Sequence, residues 1–150
     1  MATTIRKLRP QPGPQEAFLS SPADIVIYGG AAGGGKSYAL LLEPLHFISN
    51  PNFGAVAFRR TSPQISAEGG LWDTAGAIYP AIGGRMLDVI KEVRFRSGAR
   101  VTFRHLQYEK DKFNWQGSQI PCILIDELTH FTETQFWYLL SRNRSTFGVA

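Results

Sequence analysis

Two short stretches of the sequence carry residue types that can do chemistry together. The first is glycine-rich and ends in a lysine and a serine: Gly30-Ala31-Ala32-Gly33-Gly34-Gly35-Lys36-Ser37 fits G-x-x-x-x-G-K-[ST] at every fixed position. A loop of this kind can curl around a phosphate. Side chains would block the approach, so glycine stands where backbone N–H groups must point inward. Gly30, Ala31, Ala32, Gly33, Gly34 and Gly35 would form the cradle, Lys36 would reach the β- and γ-phosphates, and Ser37 would offer a hydroxyl to Mg²⁺. The second stretch, Cys122-Ile123-Leu124-Ile125-Asp126-Glu127, is an apolar run that ends in two acids. A phosphate loop needs such a partner. One carboxylate shares the metal shell with the loop hydroxyl, and another polarises water for attack on the γ-phosphate. Asp126 is assigned to the metal and Glu127 to the water. Acidic pairs at strand ends are common by chance, and this one gains its meaning from the loop upstream.

The elements around these stretches must place them. Apolar residues over 24–28 predict a buried strand leading into the loop, and 35–47 predicts a helix leading out of it. Pro44 should kink or shorten that helix, because proline lacks an N–H and clashes with the preceding turn. Gly54-Ala55-Val56-Ala57-Phe58-Arg59-Arg60 reads as a second buried strand. Strand, helix and strand at this spacing imply a βαβ unit with a right-handed crossover. A helix is expected over 64–79, weakened by Gly69-Gly70. Period-two alternation on either side of Ser97-Gly98 predicts an antiparallel hairpin with Val93, Phe95, Val101 and Phe103 inward. Arg94, Arg96, Thr102 and Arg104 would face out, either as a phosphate-binding edge or as a solvated face that blunts aggregation. A short helix and loop are expected over 108–117, and a helix over 133–140. At the other end, Pro14 suits the first position of a short helix over 14–20.

Composition sets outer bounds. A chain of 150 residues, 43% hydrophobic and 19% charged, is ordinary globular material with enough length for one domain and a core. No apolar run approaches the ~18 residues of a membrane span. Cys122, alone of its kind, cannot close an internal disulfide and reads as a buried thiol in a reducing compartment. The formal charge of +4 permits contact with nucleic acid without demonstrating it.

In order along the chain, these pieces resemble the large subunit of the tailed-phage terminase. The resemblance is carried by Gly29 to Ser37, Phe58-Arg59-Arg60, Gly70-Leu71-Trp72-Asp73, Ser97-Gly98-Ala99-Arg100-Val101, the stretch from Tyr108 to Gln116-Gly117, and Ile125-Asp126-Glu127-Leu128-Thr129-His130-Phe131 followed by Gln135-Phe136-Trp137. It implies an α/β fold of the P-loop NTPase class (RecA-like, ASCE), a parallel-sheet core carrying an antiparallel hairpin. It implies ATP and Mg²⁺ as cofactors and an ATPase motor that drives viral double-stranded DNA into procapsids. The partners it implies are a portal ring, a small terminase subunit and further copies in a homo-oligomeric ring, in the cytoplasm of an infected bacterium and without a membrane. Gln15 matches an adenine-contacting position, with Gln11 as the weaker competitor. An arginine should stabilise charge in the transition state. Members that carry it inside the phosphate loop have no counterpart here, which leaves Arg59, Arg60, Arg142 and Arg144 as candidates.

Residues 1–13 then read as a basic, proline-rich arm and 14–150 as a partial ATPase domain. Terminase large subunits run much longer. A coupling motif, the remaining ATPase strands and a nuclease domain would follow, so the chain looks truncated relative to the family. Two alternatives remain at this level: another nucleic-acid-dependent P-loop ATPase, such as a helicase-like enzyme, or a fragment that binds nucleotide without turnover.

Overall fold

The computed structural model describes residues 8–30 and 35–145. Helix α1 (Pro14–Leu19) begins on its proline, whose missing N–H would have been unpaired there anyway. Helix α2 (Lys36–Leu42) leaves the glycine-rich loop and stops earlier than its apolar pattern alone suggests. Pro44 offers no N–H, and the chain tightens into a 3₁₀ turn over Glu43–His46. Strand β1 (Gly54–Arg59) follows. In place of one helix over 64–79 there are two, α3 (Ser62–Ser66) and α4 (Leu71–Ile78). Gly70 separates them: a Cβ there would lie 2.8 Å from the carbonyl oxygens of Gln64, Ile65 and Ala67. Thr61 and Gln64 close a reciprocal capping box at the start of α3.

The expected hairpin forms, with a third strand added: β2 (Arg85–Leu87), β3 (Glu92–Arg94) and β4 (Arg100–His105). A 3₁₀ stretch over Glu109–Trp115 leads to strand β5 (Cys122–Ile125) and helix α5 (Glu133–Leu140). The five strands form one sheet in the order β2-β3-β4-β1-β5. β1 lies parallel to both β4 and β5, while β3 lies between β2 and β4 and is antiparallel to each. The three parallel strands therefore send their C-terminal ends to one edge, where open α/β sheets bind ligands.

Two apolar layers cover the sheet. Ala55, Ala57, Val93, Val101, Phe103 and Leu124 face α2, α3 and α4, and Trp72 meets Phe103 edge-on at 5.2 Å. On the opposite face a smaller core of Phe58, Leu106, Ile120 and Leu139 is completed by Val56, Trp115, Ile123 and Ile125. This second layer covers β1 and β5 only. The outer face of the hairpin strands carries polar side chains apart from Leu87, which stands opposite Glu92.

The strand expected over 24–28 does not form. Ile25, Val26 and Ile27 are 51%, 38% and 73% exposed, and the segment joins no sheet. An apolar run becomes a buried strand only when a neighbouring strand takes up its N–H and C=O groups. None lies beside this segment among the described residues, and its one aromatic, Tyr28, instead stacks on Phe18 at 5.5 Å. The βαβ unit expected from it is absent for the same reason. No helix among the described residues is long and apolar enough to cross a membrane.

One buried hydrogen bond ties the end of α2 to the core. The Tyr79 hydroxyl donates to the Leu41 carbonyl at 2.7 Å, at a helix end where carbonyls lack intrahelical partners. Burial holds the phenol well above its usual range, so it stays a donor at any ordinary pH. Tyr79→Phe is expected to cost about 1–2 kcal/mol in urea unfolding with an unchanged m-value. An unchanged midpoint would show that Leu41 finds another partner.

Candidate functional site

β1 and β5 run side by side with Phe58 opposite Ile125, which sets Arg59 and Asp126 at the same level just past the paired region. Side-chain alternation then sorts the residues at these ends. Leu124 faces α2, so Asp126 does too, and Arg59 follows Ala57 onto that face. The Asp126 carboxylate is nearly buried. Its Oδ2 accepts from the Ser37 hydroxyl at 2.8 Å and from Arg59 Nε at 2.6 Å, with a second Arg59 nitrogen at 2.5 Å. Ser37 belongs to the first turn of α2, so one oxygen joins the loop exit to the ends of β1 and β5. Asp126 Oδ1 takes no protein hydrogen bond among the described residues and is not sealed from solvent.

The loop is anchored at both described ends. Lys36 Nζ donates to the Gly30 carbonyl at 2.8 Å. Gln15 is buried, donates from Nε2 to the Gly35 carbonyl at 3.0 Å and accepts on Oε1 from the Gln11 N–H at 2.7 Å. Gly35 sits at φ 70, and a Cβ there would fall 2.3 Å from Gln15 Nε2. The left-handed backbone favours glycine, and a Cβ would push the Gln15 amide off the Gly35 carbonyl. The two sequence competitors, Gln11 and Gln15, are parts of one brace. Ala31, Ala32, Gly33 and Gly34 lie outside the described residues.

Glu127 adopts φ 54 and ψ 55, a left-handed conformation that disfavours a side chain. The turn breaks the strand's alternation directly after Asp126. Glu127 is exposed, and its carboxylate has no protein partner among the described residues. The two neighbouring acids are thus in opposite situations, one clamped and one open. Ser37 and Asp126 present hard oxygens of the kind Mg²⁺ accepts, and phosphate oxygens and water are its usual further ligands. No cluster of three or more His, Cys, Asp or Glu suited to a metal exists among the described residues, so any cation here would rely on such added ligands.

Residues 27–149 match a family described as terminase large subunit, T4likevirus-type, N-terminal. The chain belongs to that family. No curated protein and no solved structure matches it significantly.

In this terminase chain the four candidate arginines have different surroundings. Only Arg59 reaches the site, where it is bound to Asp126. Arg60 points to the opposite face, as alternation requires, and donates to Gln135 Oε1. Arg142 lies beside the start of β5, where its carbonyl accepts from the Ile120 N–H and its guanidinium sits 5.6 Å from the Tyr138 ring centroid. Strand β5 separates that end from Asp126. Arg144 is exposed two positions further on. Cys122 is half-buried, and burial pushes its thiol up to about 12, leaving it neutral and inert.

Sequence reasoning named Gln135 only within the family resemblance and gave it no role. It is fully buried, with Nε2 donating to the carbonyls of Leu106 and Tyr108 and Oε1 accepting from Arg60 and from the Thr132 N–H. This side chain fastens the start of α5 to the ends of β1 and β4. The signal was available in Thr132-Glu133-Thr134-Gln135, a capping-box spacing ahead of an apolar helix.

Arg59→Met leaves a nearly buried carboxylate without its charge partner and is expected to cost about 3–5 kcal/mol in chemical denaturation. Adding Asp126→Leu should recover most of that loss. A single variant as stable as the parent would show that the pair contributes nothing net.

Proposed function

We propose that this chain is the nucleotide-hydrolysing segment of a phage DNA-packaging motor, built as a P-loop NTPase. The observation that carries the reading is the hydrogen bond from Ser37 Oγ to Asp126 Oδ2 at 2.8 Å. It brings together two residues 89 positions apart that the motif logic pairs around one metal ion. Family membership adds DNA packaging to a site that, by its residues alone, would suit many nucleotide hydrolases.

In this reading Ser37 and Asp126 would hold Mg²⁺. Bound there, the ion would supply charge neutralisation on the β- and γ-phosphates of ATP. Lys36 is tethered to Gly30 across the loop mouth and exchanges that carbonyl for phosphate oxygens. Glu127, open to solvent and unpartnered among the described residues, orients the attacking water and accepts its proton. Arg59 fixes the Asp126 carboxylate and is the arginine nearest the developing charge. Gln15 braces Gly35 and, with Gln11, lies where an adenine contact is inferred. Duplex viral DNA, a portal ring, a small terminase subunit and further copies in a ring are the partners this function requires.

Lys36→Ala should abolish Mg²⁺-dependent ATP binding in a calorimetric titration. Equal affinities for parent and variant would overturn the reading. Glu127→Gln should keep binding and lower phosphate release 10²-fold or more. If the parent chain binds ATP without releasing phosphate, the segment is a binding module and turnover needs further parts.

A further inference from the structure

The outer face of the hairpin holds a charge arrangement that the nucleotide site does not use. Strand register puts Arg85 opposite Arg94 and Arg94 opposite Arg100, so three arginines stand in one line across β2, β3 and β4. Directly opposed residues share a face, and neighbouring strands lie ~4.8 Å apart, so the row spans about 10 Å. Arg104 lies further along β4 on the same face, and the exposed Arg96 sits at the hairpin turn. One carboxylate answers them: Glu92, whose Oε2 takes a 2.6 Å bond from Arg94 Nε. Arg85 and Arg100 are exposed and have no acidic partner among the described residues.

Like charges set directly opposite one another destabilise a sheet. Edge protection needs a single charge per strand, and an aligned triplet of arginines goes well beyond that. The row ends at Gly54, paired with Arg100, where no side chain rises from β1. The opposite face of these strands is the apolar core, so every aromatic of the hairpin, Phe95 and Phe103, points away from the arginines.

We propose that this arginine row grips the phosphate backbone of duplex DNA. The inference rests on the packaging function above and assigns the surface that function would use. Successive phosphates wind around the duplex axis and so stand further apart than the ~3.4 Å rise per step, and a ~10 Å row can meet about two of them. Single strands are held by aromatic stacking platforms as well as charge, and this face offers none. Contact is with phosphates alone and reads no sequence, as a motor moving along any DNA requires.

The test is duplex binding by the 150-residue chain, followed by fluorescence anisotropy across a salt series. Arg85→Gln/Arg100→Gln leaves the Arg94–Glu92 pair intact. It should weaken duplex binding on the order of tenfold at 50 mM salt and make the log–log salt slope about 2 less steep. Lys110→Gln/Arg9→Gln, the same charge change elsewhere, should leave the slope within experimental scatter. Arg85→Glu, which can pair with Arg94 and so preserves the sheet, should weaken binding at least as much as Arg85→Gln. A slope unchanged in the row variant, equal losses in the control, or a larger loss for single strands than for duplex would each overturn the assignment. So would a parent chain that binds ATP but no duplex, and that outcome leaves the nucleotide reading standing. Row-dependent duplex binding without any ATP binding would do the reverse.

Discussion

The arrangement at the sheet's C-terminal edge depends on a single carboxylate. Asp126 cannot sit nearly buried as an isolated charge, and Arg59 supplies the compensating one at 2.5–2.6 Å. The same oxygen takes the Ser37 hydroxyl and so fixes where α2 begins relative to β1 and β5. Three elements thus meet at one oxygen. Oδ2 is committed to holding the fold together, while Oδ1 takes no protein hydrogen bond among the described residues.

Strand alternation then distributes roles that the sequence lists side by side. Arg59 and Arg60 are adjacent, yet one belongs to the α2 face and the other to the α5 face. Asp126 and Glu127 are adjacent too, but a left-handed turn replaces alternation there and frees the second acid from the sheet. Gln135 and Gln15 perform parallel tasks on opposite faces. Each is a buried amide that satisfies backbone groups of loops with no other way to close. These polar clamps stiffen the ends of the strands, which is where a phosphate-handling site must hold its geometry.

Much of this was legible from the residues. The β1 and β5 runs, the hairpin about Ser97-Gly98 and the α5 pattern all show periodicities strong enough to survive folding. Cys122 to Asp126 could be recognised as the partner of a loop nearly ninety positions earlier, because phosphate chemistry demands a hydroxyl and a carboxylate together. The segment Ile25-Val26-Ile27 misled because hydrophobicity reports a preference for burial without naming the neighbour that would provide it. Arg59 was seen as a candidate for transition-state charge, whereas its contact with Asp126 follows from strand register, which no local pattern encodes. The aligned arginines were hidden for the same reason. Arg94 could be placed outward by alternation, but Arg85 and Arg100 become its neighbours only once β2, β3 and β4 are paired.

β5 has β1 on one side and, among the described residues, no strand on the other. Its outer edge therefore offers unpaired N–H and C=O groups beside Ile123 and Ile125, and the exposed Ile25-Val26-Ile27 stretch is equally unpaired. Natural sheets usually guard such edges with lysine, proline or a bulge, and Cys122 to Ile125 contains none of these. In concentrated solution the chain should behave as an adhesive object, with self-association set by backbone pairing along one strand and little eased by its net positive charge.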